Sequence, residues 1–322
     1  MPAPRILFVK LSSLGDVVHH LPAVSDLANE RPGAHLAWAV EEAYVDLVRL
    51  HPAIAEAIPV SLRSLRRNPL AAAPWKRMAD ARRAMRREHW DYVIDTQGLL
   101  KSAVVSRFAQ GSAFGLDRAS AREGLASRFY DVKIGVAREL HAVERNRRLV
   151  GQVFGYAPRG EAHYGIARAG EPPAWAPSAP YVVLLHAASR ASKRWPDERW
   201  VELGRRLAEQ SGTVVFPGGT EAERAHAARL AASVPGAMAA PAMSLRDAAA
   251  LLSHAAAVAG VDTGLTHLAA AFGVPTVGIY CATEPGLTGL HGGAHAVNVG
   301  SASEAPSVDA VAAGLASSSA GR

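Results

Sequence analysis

A single cysteine, Cys281, stands in a chain of 322 residues. No internal disulfide can form, and such usage fits a reducing compartment. Aromatic residues make up only 6% of the chain, so the interleaving of rings and basic residues found on many nucleic-acid-binding surfaces is missing. No recognisable nucleic-acid-binding module takes its place. No apolar run approaches the length of a membrane span, and no N-terminal segment suits a signal peptide. The expectation is a soluble, cytoplasmic protein. The glycine fingerprint of dinucleotide binding is absent after either opening strand, which argues against a dehydrogenase, and no Walker lysine pattern supports a P-loop kinase. Histidines are scattered, and none joins a cysteine at zinc spacing, so no metal is expected.

What is present suffices for two ordinary cores: 49% hydrophobic and 20% charged residues. The charge is unevenly placed. Residues 1–170 carry 25 Lys+Arg against 17 Asp+Glu, a net of +8, whereas residues 171–322 carry 10 against 12, a net of −2. A basic half of this kind meets something anionic or is simply a solvated surface; nucleic acid, a membrane and an acidic substrate are the candidates. Each half alternates short apolar strands with helical patterns, which implies a mostly parallel sheet covered on both faces. Arg5–Lys10 opens the first half and Tyr181–His186 the second. Between them, the proline-rich stretch 171–180 reads as a linker. The expected organisation is therefore 1–170, linker 171–180 and 181–322.

Several strand ends carry chemistry. Val258-Ala-Gly-Val-Asp-Thr-Gly-Leu-Thr-His267 reads as a buried strand running through a glycine turn into a helix. Free N–H groups and the positive dipole end at such a helix start suit a phosphate or diphosphate. Asp262, Thr263, Gly264, Leu265, Thr266 and His267 would ring it; a plain capped helix is the simpler reading. Ser189 and Lys193 follow the strand opening the second half and offer a hydroxyl and a cation to phosphate. Glu221 and Glu223 follow the turn Pro217-Gly-Gly219, where a carboxylate accepts both hydrogens of a ribose diol. In the first half, Asp16 lies just beyond a strand end and near a helix start, where open α/β sheets place ligands and where Asp also serves as a cap.

Taken together, Ser12-Ser-Leu-Gly-Asp16, Lys193-Arg-Trp-Pro196, Pro217-Gly-Gly-Thr-Glu221 and Asp262-Thr-Gly-Leu-Thr-His267 resemble the heptosyltransferases of lipopolysaccharide inner-core synthesis. The likeness runs from Arg5 to about Asn298 with the motifs in order. Asp95-Thr-Gln-Gly-Leu-Leu-Lys101, His141-Ala-Val-Glu-Arg-Asn146 and Thr283-Glu-Pro-Gly-Leu-Thr288 look more like the type I than the type II enzymes. The resemblance implies a GT-B fold, two Rossmann-like α/β/α domains facing across a cleft, with acceptor on the N-terminal and donor on the C-terminal one. It implies inverting transfer of heptose from ADP-L-glycero-β-D-manno-heptose to the first Kdo of Kdo-lipid A, with no cofactor. It puts the general base at Asp16, the diphosphate lysine at Lys193, and the heptose- and phosphate-binding loop at Asp262 to His267. The acceptor's phosphates and carboxylates explain a basic N-terminal half, for which Arg63, Arg66, Arg67, Lys101 and Arg122 are the candidates. They also place the protein as a peripheral one at the cytoplasmic face of the inner membrane. One departure concerns Ala187-Ala188-Ser189, which has one hydroxyl where the type I pattern tends to have two. The rival readings are heptosyltransferase II, a GT-B nucleotide-sugar epimerase, which needs no basic acceptor half, and a non-catalytic nucleotide-sugar sensor, which leaves Asp16 without a purpose.

Overall fold

The structure is a computed structural model that describes residues 3–293 and 295–320. The chain divides into two compact units, Met1–Gly165 and Ile166–Arg322. The proline-rich stretch 171–180 falls inside the second unit, so the division comes earlier in the chain than composition suggests.

Each unit holds one six-stranded sheet, and every strand pair is parallel. In the first unit the strands are β1 (Arg5–Val9), β2 (His35–Glu41), β3 (Ile54–Val60), β4 (His89–Asp95), β5 (Gln110–Leu116) and β6 (Val132–Ile134). They lie in the order β3-β2-β1-β4-β5-β6. In the second unit they are β7 (Tyr181–Leu185), β8 (Thr213–Phe216), β9 (Met238–Ala239), β10 (Ala257–Val261), β11 (Thr276–Tyr280) and β12 (Ala296–Gly300). Their order, β9-β8-β7-β10-β11-β12, repeats that of the first unit. A chain that returns to its first strand and then proceeds the other way leaves a crevice at the switch, between β1 and β4 in one unit and β7 and β10 in the other. Ligands in open α/β sheets bind there, beyond the carboxyl ends of the strands.

The central strands are mainly apolar because helices cover both faces. Ile6 to Val9 and Val258 to Val261, Gly260 included, are buried. In the second unit Trp195 and Trp200 meet edge to face, ring centroids 5.0 Å apart, above a core that includes Leu203, Phe216 and Ile279. Helix Asp197–Ser211 contributes Trp200, Leu203 and Leu207 to it, as its spacing predicts. Strand β5 is not legible in the sequence because five of its seven residues, Gln-Gly-Ser-Ala-Phe-Gly-Leu, are small or polar. Gly115 is nonetheless required: a Cβ there would stand 2.4 Å from the Tyr130 ring. The Ala/Ser-rich tail from Ser301 reads in the sequence as a helical middle with a frayed end. A helix covers Val308–Ala320 and buries Val311 and Leu315; the expected frayed end, Gly321 and Arg322, lies outside the described residues.

Candidate active site

The switch point of the first unit is a small cavity lined by Lys10, Asp16, Thr96, Gln97, Arg122 and Arg145, among others. Lys10, one residue past β1, is 5% exposed, and its Nζ donates to the Thr96 carbonyl (2.9 Å) and to Asn146 Oδ1 (3.1 Å). Burial pushes this ammonium down to about 8, against the attraction of Asp16. Asp16 sits in the first turn of the short helix Leu14–Val18. Its Oδ2 accepts from Ser13 N–H (2.8 Å) and Ser13 Oγ–H (3.1 Å), and its Oδ1 from Arg122 Nη2 (2.8 Å). Burial acts to raise the Asp16 carboxyl, but Lys10, Arg122 and the Ser13 bonds together outweigh it, and the group is held below the usual carboxylate range. The side chain keeps 15% of its surface exposed. This is an ionised carboxylate open at one face to a ligand in the cavity.

Around it the edge of the sheet is built from ionic and amide contacts. Gln97 Oε1 accepts from Leu11 N–H at 2.7 Å, tying the β4 end to the β1 end. That leaves Gln97 Nε2 buried without a partner in the cavity wall, as is Thr96 Oγ1. Lys101 Nζ donates to Ser12 Oγ (2.9 Å). At the end of β2, Glu41 accepts from Arg63 N–H (3.1 Å), and the Arg63 guanidinium lies 5.0 Å over the Tyr44 ring.

The second unit places its switch-point residues around Asp262. Lys193 Nζ donates to Asp262 Oδ2 at 2.5 Å, and Thr283 Oγ1 donates to the same oxygen at 2.8 Å. His267 Nε2 stands 3.5 Å from Oδ1. Burial acts to raise the Asp262 carboxyl; the bonds from His267, Lys193 and Thr283 reverse that and hold it far below the carboxylate range. Thr263 is the N-cap of helix Gly264–Ala271 but makes no side-chain cap bond. Thr266 Oγ1 instead donates back to the Val261 carbonyl (2.7 Å), locking the helix start onto β10. The fit is tight: a Cβ on Gly260 would lie 2.3 Å from that hydroxyl. A helix start open at its first turn, beside a lysine, is a ready anion cradle.

Residues 78–313 match the family described as Glycosyltransferase family 9 (heptosyltransferase). The chain is 45% identical over 294 residues to a Pseudomonas aeruginosa lipopolysaccharide heptosyltransferase 1, covering 89% of this chain and 81% of that protein. This chain belongs to glycosyltransferase family 9. A solved structure of the Escherichia coli heptosyltransferase WaaC with ADP superposes at a TM-score of 0.89, with 37% identity over 98% of this chain and 99% of that one. A solved E. coli ADP-heptose lipopolysaccharide heptosyltransferase II shares the fold at a TM-score of 0.74, with 18% identity, 97% of this chain and 98% of that one. Within the heptosyltransferases the chain therefore lies with type I. The two parallel sheets, each flanked by helices, are those of a GT-B fold.

As a heptosyltransferase the chain can be read residue by residue. Lys193, Asp262, Thr283 and His267 come together in the second unit, and Asp16, Arg122 and Lys10 in the first. Glu223 is occupied locally: its Oε2 accepts from Gly219 N–H (3.0 Å) and Thr220 N–H (2.9 Å) as the carboxylate of a capping box. Glu221 opens that helix exposed, and Ser189 is exposed in the loop after β7. Leu265 is half-buried. Arg66 and Arg67 end helix Leu62–Arg67 with exposed side chains. Sequence reasoning passes over Lys10 and Thr283. The signal for Lys10 is a lone cation closing an apolar strand. For Thr283 it is the type I segment Thr283–Thr288, which the fold brings to Asp262. Among the described residues no group of three or more His, Cys, Asp or Glu is placed to hold a metal ion.

Proposed function

We propose that this heptosyltransferase moves L-glycero-D-manno-heptose from ADP-heptose to the first Kdo of Kdo-lipid A, with inversion, as the type I step of lipopolysaccharide inner-core synthesis. The match to type I proteins along nearly the whole chain carries the reading. It is supported by an ionised carboxylate at one switch point and an anion cradle at the other.

In this reading Asp16 is the general base. It takes the proton of the acceptor hydroxyl, whose oxygen bonds the anomeric carbon as the bond to the diphosphate breaks and ADP leaves with the electron pair. A carboxylate tied to two cations is a weak base in the ground state. An oxocarbenium-like transition state relieves that weakness, because the acceptor oxygen becomes acidic as its new bond forms. The charge growing on ADP is met by Lys193 and the helix start at Gly264. Asp262 orients Lys193 and His267 toward the donor, with Thr263, Leu265 and Thr266 fixing the cradle and Ser189 adding a hydroxyl. Glu221 or Glu223 takes the ribose; for Glu223 this means sharing or releasing its cap. In the first unit, the N-terminal acceptor domain, Arg63, Arg66, Arg67, Lys101 and Arg122 receive the acceptor's anionic groups. No cofactor enters, and the protein works peripherally at the cytoplasmic face of the inner membrane. Purified protein mixed with ADP-heptose and Kdo-lipid A should give, by mass spectrometry, a product one heptose heavier. An unmodified acceptor after prolonged incubation with fresh donor overturns the reading.

A further inference from the structure

The connection from helix Leu62–Arg67 into the first turn of helix Ala72–Met85 has an unusual composition, Asn68-Pro-Leu-Ala-Ala-Ala-Pro-Trp75. Every residue from Asn68 to Ala73 is exposed; Leu70 is wholly so, and Trp75 is 57% exposed. These are the two most exposed large apolar side chains among the described residues. A fully solvated leucine beside a half-solvated tryptophan costs free energy in water and gains it on transfer to an apolar phase. The tip is also held in shape. Trp75 Nε1 donates to the Pro69 carbonyl at 2.8 Å across the turn. Arg77 Nε donates to Ser61 Oγ (2.9 Å) and pairs with Glu42 (3.0 Å), fastening the start of the second helix to the β2 and β3 ends.

The surroundings of the tip are cationic. Arg66, Arg67 and Lys76, at the helix ends beside the tip, are exposed, and none of the three has an acidic partner among the described residues. Arg77, Arg83 and Arg87, by contrast, are each paired. An apolar tip set in unpaired cations matches an anionic bilayer surface in both respects. Leucine and tryptophan enter the headgroup boundary while lysine and arginine stay with the phosphates. A protein partner with an apolar pocket satisfies only the first feature, and a soluble polyanion only the second.

We infer that the 68–75 turn, with its flanking basic helix ends, is the surface by which this protein docks on an anionic phospholipid bilayer. It follows β3 in a wholly parallel sheet, so it leaves from the same edge as the loops carrying Asp16, Glu41 and Gln97. A bilayer met by this turn therefore lies on the side of the first unit where the acceptor is read. Only that last point rests on the proposed function; the docking itself does not.

Sedimentation with vesicles tests it. Unmodified protein should bind vesicles containing phosphatidylglycerol, weaken steeply with salt, and bind phosphatidylcholine vesicles at least tenfold less. Leu70→Ser combined with Trp75→Ala should lower partitioning at least tenfold, and Lys76→Glu several-fold on anionic vesicles alone. Melting temperature checks that each variant folds. Heptose transfer to a deacylated, water-soluble acceptor should be the same in both variants as in the unmodified protein, so loss of docking is distinguished from loss of catalysis. Equal partitioning of Leu70→Ser/Trp75→Ala and unmodified protein overturns the inference. So does a concentration-dependent dimer that these substitutions abolish, which would assign the turn to a second copy of the chain.

Discussion

His51 and His186 are each buried as neutral imidazoles, by different means. His51 Nδ1 accepts Ala53 N–H (3.2 Å), which puts the ring proton on Nε2, facing Ser25 Oγ at 2.9 Å. His186, one residue past β7, has both ring nitrogens buried without a partner and its ring edge-on to His226, centroids 4.7 Å apart. Burial first, and a neighbouring histidine second, push both down to about 4 from 6.5. Between pH 6.5 and 4 the unfolded chain holds protons at these positions that the folded chain refuses. Stability therefore rises with pH across that window and is lost as pH falls through it, by about 3 kcal/mol per histidine at the limit. Calorimetric melting at pH 7 and pH 4.5 should show the loss, and His186→Gln should show a smaller one. The same acid sensitivity in both proteins would mean that His186 titrates normally. None of this is legible in the sequence, where a histidine after a strand is equally a ligand, a core residue or an exposed one.

At the scale of elements, strand ends and helix starts are the readable part of this chain. β8 and β11 are legible in the sequence as Thr213–Phe216 and Thr276–Tyr280, because each is a short apolar run closed by a turn. The helix after β10 starts at Gly264, one residue ahead of the pattern that reveals it. What stays hidden is how loops from distant strands pair. The Lys193–Asp262 contact joins the loops after β7 and β10, 69 positions apart, and no local pattern encodes it. The pairing has a consequence. The lysine neutralises Asp262 and, in the proposed reading, serves the phosphates of the donor from the same position. Lys193→Ala should therefore weaken ADP by roughly ten- to a hundredfold and AMP far less. Calorimetric titration of both nucleotides decides this; equal losses would place Lys193 away from the diphosphate.

For the molecule as a whole, the uneven charge is visible in composition alone, but its use is not. Some of the first half's cations are spent internally: Arg147, 2% exposed, pairs with Asp26 and Glu144, and Arg122 with Asp16. Others stay unpaired around the 68–75 turn. Charge counting cannot separate these groups, since which cation finds a carboxylate depends on the three-dimensional edge of the sheet. In the proposed reading the proton transfer falls to the first unit and donor binding to the second. Asp16→Asn tests that division most directly, because the amide keeps the shape and can still donate or accept hydrogen bonds but cannot take the acceptor's proton. Transfer rate and ADP affinity should be measured on the same preparation. Turnover should fall by roughly two to four orders of magnitude, the contribution of a general base, with the ADP dissociation constant unchanged. Near-normal turnover in Asp16→Asn would remove Asp16 as the general base, and an ADP affinity that falls with turnover would overturn the division of labour between the units.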